Sequence, residues 1–151
     1  IMNIAVILAG GSGTRMGQDV PKQFLKVAGK KVIEHTIEIF ENAKNIDEIC
    51  IVSRADYINE VESIVINNGY TKVKKILSGG KERYDSSLAA INAYPTNNHN
   101  LLFHDAVRPL LTERIIDDCL TALNQYNAVD VAIKTTDTII QVDNNDCIIS
   151  V

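Results

Sequence analysis

An alternation along the chain constrains its fold more than any other feature. Short continuous apolar runs take turns with longer stretches whose apolar residues recur at helical spacing, which is the pattern of parallel strands covered by helices on both faces. The runs Ile4–Leu8, Ile49–Ser53, Val73–Leu77, Leu101–Phe103 and Val129–Ile133 predict strands. Between them, Val32, Ile33, Ile37 and Phe40 share one helical face, as do Ile58, Val61, Ile64 and Val65 and, later, Ile115, Ile116, Cys119, Leu120 and Leu123. Arg83–Tyr94 predicts a further helix, stopped by Pro95 and the polar stretch Thr96–Asn100. Thr138–Val142 and Cys147–Val151 read as a hairpin around the turn Asp143–Asp146. The expected class is α/β: an open, mostly parallel sheet with helices on both faces, in one domain over residues 1–151.

Composition narrows the function classes. With 151 residues, 46% hydrophobic and 23% charged, the chain is sized for a packed core rather than disorder or coiled coil. A net charge of −4 argues against nucleic acid as a partner, so any polyphosphate must be met by local charges. Cys50, Cys119 and Cys147 are odd in number and far apart, which favours neither a disulfide framework nor a zinc site and fits a reducing cytoplasm. The run Ile4–Ala9 is too short to cross or anchor in a membrane. Met2, behind Ile1, is the expected natural start.

In an open α/β sheet, ligands bind beyond the carboxyl ends of the strands. Three clusters stand there. The first runs from Ala9-Gly10-Gly11 through Gly13 and Arg15 to Pro21-Lys22-Gln23. Glycines let the backbone approach phosphate oxygens, and Arg15 and Lys22 supply charge. A dinucleotide fingerprint fails because Met16 stands where the third glycine is needed, and a Walker loop fails because Gly29-Lys30 is followed by Lys31. A plain strand-to-helix turn with incidental charges is the alternative. The second cluster, Ser78 to Ser86, places Gly79, Gly80, Arg83 and Ser86 at a helix entry, where glycines give access to a base edge and Ser86 to a ribose hydroxyl. A merely polar helix entry is the alternative. The third is His104-Asp105-Ala106-Val107-Arg108-Pro109. A carboxylate there suits Mg²⁺, which takes one or two protein carboxylates and leaves positions for water and phosphate. An Asp105–Arg108 ion pair closing a turn is the alternative. His104 reads as structural, and His35 and His99 as surface residues.

Taken together and in this order, Gly10-Gly11-x-Gly13-x-Arg15-Met16 with Pro21-Lys22-Gln23, Gly79-Gly80-x-x-Arg83-x-x-Ser86 and His104-Asp105-Ala106-x-Arg108-Pro109 resemble the cytidylyltransferases that activate ribitol phosphate or methylerythritol phosphate. The resemblance spans nearly the whole chain. It implies a glycosyltransferase-A-like nucleotidyltransferase fold, CTP as donor, a polyol phosphate as acceptor, Mg²⁺ as cofactor and a homodimer. By position it places Ala9, Gly10, Gly11 and Gly13 around CTP, with Arg15 and Lys22 as the catalytic groups on its phosphates. Gly80, Arg83 and Ser86 fall at base and ribose, Asp105 at the metal, and Arg108 and Thr138 at the acceptor. Gly10-Gly11, Val107 and Gln23-Phe24-Leu25 lean toward the ribitol branch. Members of this family continue past Val151 with an arm that crosses to the partner subunit, a Thr-Pro-Gln segment and a late catalytic Lys, so the chain is expected to be truncated at its C-terminal end.

Overall fold

A computed structural model of the chain describes residues 1–11, 20–96 and 98–150. Four strands form the central sheet: β1 (Met2–Ala9), β4 (Glu48–Ser53), β5 (Val73–Ser78) and β6 (His99–Asp105). Their order is β5-β4-β1-β6, and each neighbouring pair is parallel. The helices are α1 (Val32–Asn42), α2 (Ile58–Asn68), α3 (Arg83–Ala93) and α4 (Glu113–Leu123). Among the described residues, none of them is long and apolar enough to cross a membrane.

β1 reads as a continuous apolar run because it is buried on both faces and paired on both edges. Ile4, Ala5, Val6 and Ile7 are each 0% exposed. Its alternate residues feed two cores. Ala5, Ile7 and Ala9 join Ile37 and Phe40 of α1, Val61 of α2 and Ile116 of α4. Ile4, Val6 and Leu8 join Ala90 of α3 and Tyr94. Helices therefore cover both faces, as the apolar periodicity predicts.

The register decides where function can sit. Ala9 is level with Ser53, Ser53 with Ser78, and Leu8 with Asp105, so four strands end on one edge of the sheet. The chain turns from β1 to β4 on one side and to β6 on the other, leaving the β1 end as the point where the strand order reverses.

Three expectations are corrected. Val129–Ile133 is not a strand: the stretch is irregular, with Val131 61% and Ile133 94% exposed. Asp130 Oδ1 accepts the Val131 N–H at 2.9 Å, a local bond that competes with a strand ladder. The hairpin expected over Thr138–Val142 shrinks to β7 (Gln141–Val142) against β8 (Ile148–Ser150), while its turn forms as expected, with Asp143 Oδ1 accepting from the Asn145 and Cys147 N–H groups. Val151 lies outside the described residues. The polar stretch Thr96–Asn100 yields its end to β6, which starts at His99, and His99 is half-buried with its ring edge-on to Tyr94 rather than lying on the surface.

One element has no forerunner in the periodicity. β2 (Lys26–Val27) and β3 (Lys30–Lys31) form a hairpin through Ala28 and Gly29, at φ 50° and 84°. Two successive positive φ values are the demand of a tight two-residue hairpin turn.

Candidate active site

A cavity of about 680 Å³ opens at the carboxyl edge of the sheet. Ala9, Gly10 and Gly11 line it from the end of β1, and Gly80, Arg83 and Ser86 from the entry to α3. Asp105 closes it at the end of β6. Seven of the twelve site residues singled out in the sequence, two of which lie outside the described residues, thus meet at one place, because parallel strands in this register must deliver their ends together.

The second glycine pair is also packed tightly against the helix that follows it. A Cβ built on Gly79 would lie 2.4 Å from Ser86 Oγ, and one on Gly80 would lie 2.3 Å from Asp85 Cβ. The first turn of α3 presses directly on this pair. Asp85 Oδ2 accepts the Glu82 N–H at 2.9 Å and so caps the helix from within that contact. Ser86 is 4% exposed and sits beneath both glycine segments, with its Oγ 3.4 Å from the Cβ position of Gly10.

Asp105 is the electrostatic centre. Arg83 Nη1 donates to its Oδ1, and Arg108 Nε donates to its Oδ2 at 2.9 Å. Partial burial works against the charge of Asp105, but the hydrogen bonds and positive charges of Arg83 and Arg108 outweigh it and hold the carboxyl below the usual carboxylate range. The Asp105–Arg108 pair considered in the sequence therefore exists, with Arg83 as a third member.

An ionised carboxylate at this place fits a divalent cation as one oxygen donor. Among the described residues no group of three or more His, Cys, Asp or Glu side chains gathers to cage an ion, so remaining ligands would come from phosphate and water.

Lys22 stands on a 3-10 turn, Lys22–Phe24, half-buried beside Gln23. Arg108 lines a second cavity of about 870 Å³ between β6, α4 and the segment from Asn127 to Val131, and Arg83 and Asp105 line both. Thr138 lies in an exposed irregular segment and lines neither. Gly13 and Arg15 lie outside the described residues. His104 is structural, as read: its Nε2 lies 2.9 Å from Arg108 O, and its ring meets Phe40 edge-on.

Among the lining residues that had not been singled out as site residues, two bear on the site's chemistry. Gln23 is 2% exposed and bonds the backbone of the first glycine segment. Arg54 follows β4 into the cavity and pairs with Asp56 at 2.6 Å. Arg54 was open to the same strand-end rule that found the others. The role of Gln23 carries no pattern in the sequence.

Comparison with known proteins places this geometry. The family model described as IspD, 2-C-methyl-D-erythritol 4-phosphate cytidylyltransferase, matches residues 3–151. The chain is 52% identical over 145 residues to a bifunctional ribulose 5-phosphate reductase/CDP-ribitol pyrophosphorylase of Haemophilus influenzae, covering 95% of this chain and 31% of that protein. It is 42% identical over 140 residues to a 2-C-methyl-D-erythritol 4-phosphate cytidylyltransferase of Thermobifida fusca, covering 91% of this chain and 56% of the relative. The crystal structure of 4-diphosphocytidyl-2C-methyl-D-erythritol synthase from Anaerococcus prevotii superposes with a TM-score of 0.82 at 29% identity, over 99% of this chain and 62% of that one. The chain thus spans between about a third and three fifths of the length of these proteins. With the described residues of three ordered motifs meeting on one sheet edge, and a family match running from residue 3 to residue 151, the chain belongs to the IspD family of cytidylyltransferases.

Proposed function

We propose that the protein to which this chain belongs transfers the cytidylyl group of CTP to the phosphate of a polyol phosphate, with ribitol 5-phosphate as the acceptor, giving CDP-ribitol and pyrophosphate. The observation that carries the reading is the meeting of the glycine segments with Arg83 and Asp105 in one cavity at the strand-reversal point. The 52% identity to a CDP-ribitol pyrophosphorylase supports the ribitol acceptor.

In the reaction, an acceptor phosphate oxygen bonds to the α-phosphorus of CTP while the bond from that phosphorus to the oxygen bridging to the β-phosphorus breaks. That oxygen leaves with pyrophosphate. Both reactants are anions, so catalysis consists of aligning them and offsetting the charge that builds during transfer. Ala9, Gly10, Gly11 and Gly13 bind the nucleotide by backbone, and Gly80, Arg83 and Ser86 border its base and ribose. Lys22 and Arg15 stabilise charge on the phosphates, and Arg108 and Thr138 receive the acceptor. Asp105 would hold Mg²⁺, which supplies charge neutralisation at phosphate oxygens when bound. The assembly in this reading is a cytoplasmic homodimer.

The family model and the Thermobifida fusca relative favour a second acceptor, 2-C-methyl-D-erythritol 4-phosphate. Pyrophosphate release from the full-length protein, with CTP and each acceptor in turn, separates the two. Lys22→Ala should fold normally and lose about 10²–10³-fold in turnover, the usual cost of one charge-stabilising group. Wild-type pyrophosphate release from that variant would overturn the assignment of Lys22, and no release from the parent with any polyol phosphate would overturn the reaction.

A further inference from the structure

Gln23 is nearly sealed from solvent, and its Nε2 donates to Ala9 O at 2.7 Å and to Gly11 O at 3.1 Å. One amide group thus clasps the chain on either side of Gly10. The clasp falls where packing restrains the chain little: among the described residues a Cβ built on Gly11 would meet nothing within 4 Å, and two successive glycines have little conformational preference of their own.

The other end of the clasp is anchored by hydrogen bonds and packing. Phe24 N–H donates to Pro21 O at 3.0 Å and Leu25 N–H to Lys22 O at 3.2 Å, which closes the 3-10 turn. Phe24 is 5% exposed and stacks on Tyr57 with ring centroids 4.9 Å apart, and Val32 N–H donates to Leu25 O at 2.9 Å. Only a neutral side-chain amide suits the position: two carbonyls require two donor hydrogens on one nitrogen, a carboxylate would repel both, and a buried cation would be costly to desolvate.

We propose that Gln23 is a positioning residue, whose buried amide clasps the carbonyls of Ala9 and Gly11 and thereby sets the Gly10–Gly11 backbone for the nucleotide. The inference rests on the reading of this cavity as the CTP site. Gln23 acts through the glycine segment, touching neither reacting atom. Because Lys22 shares its turn, the same clasp fixes the spacing between a charged side chain and the glycine backbone.

The test uses the full-length protein with Gln23→Met, which keeps the length and removes both donors, and Gln23→Asn, which keeps the amide one carbon shorter. Gln23→Met should melt cooperatively, raise the KM for CTP about tenfold and leave the acceptor KM within about twofold, with Gln23→Asn rising less. An unchanged CTP KM, or a parallel rise in both KM values, overturns the proposal; if Gln23→Met fails to fold, Gln23→Asn is judged by the same criteria. If the parent protein itself binds no CTP, the functional reading falls separately. Amide exchange at Gly10 and Gly11 then decides: faster exchange in the variant supports the clasp, and equal exchange overturns it.

Discussion

Gly10-Gly11 and Gly79-Gly80 each follow a parallel strand, β1 and β5, and end at the same edge of the sheet. In sequence they look like two copies of one device. In space they are opposites. The β5 pair is pressed by α3, with Ser86 and Asp85 occupying the positions where side chains would begin, whereas a Cβ on Gly11 would meet none of the described residues within 4 Å, and Gly11 is held through its carbonyl by Gln23. A glycine pair at a strand end therefore has two distinct physical reasons to exist. One is contact so close that no Cβ fits, and the other is a backbone that must stay bare for something that arrives later.

Substitution at Gly80 offers the strongest way to break this contrast. Gly80→Ala would place a methyl group 2.3 Å from Asp85 Cβ and should cost about 2–3 kcal/mol, read as a lowered midpoint in denaturant. A variant as stable as the parent would show that α3 does not bear on the pair as described. Gly79→Ala sharpens the point, because its closest contact is Ser86 Oγ at 2.4 Å and the next are at 3.3 Å. Adding Ser86→Ala should return about 1 kcal/mol of the loss, a coupling that a double-mutant cycle on thermal melts would measure. The same Ser86→Ala change should not help Gly80→Ala, whose three nearest contacts all belong to Asp85. Gly11→Ala carries the smallest expected effect on the fold, within about 0.5 kcal/mol, yet should weaken CTP binding roughly tenfold by calorimetry. Equal affinity in that variant would erase the distinction between the pairs.

How much of this was legible beforehand follows from which forces are local. β1 was readable since burial on both faces leaves a continuous apolar signature. β6 was readable only in its middle, Leu101–Phe103, because the polar ends from His99 and to Asp105 are strand through pairing with β1, a partner almost a hundred residues away. The failure at Val129–Ile133 has the inverse cause. Apolar residues were present, but the described structure supplies them no ladder, and Asp130 satisfies the Val131 N–H locally. The hairpin at Ala28-Gly29 was missed because Ala gives no hint of the positive φ it adopts.

The site divides along the same line. Ala9, Gly10, Gly11, Gly80, Arg83, Ser86 and Asp105 converge because each was chosen by its place after a strand, and parallel register converts that place into proximity. Lys22, which lines neither cavity, stands on a 3-10 turn anchored by the burial of Phe24, a tertiary fact. Gln23 was quoted as part of a motif without a role, since an amide's partners are set by folded geometry and leave no periodic trace.

Asp105 belongs to both cavities at once, with Arg83 on one carboxylate oxygen and Arg108 on the other. A shared anion of this kind makes the two cavities thermodynamically reciprocal. Whatever draws on the carboxylate from one side alters how firmly the opposite guanidinium is held, and the factor by which an occupant of the first cavity shifts affinity in the second must equal the factor in return. The end of β6 is thus a point of exchange between neighbours, and the order in which they fill changes the path without changing the total coupling.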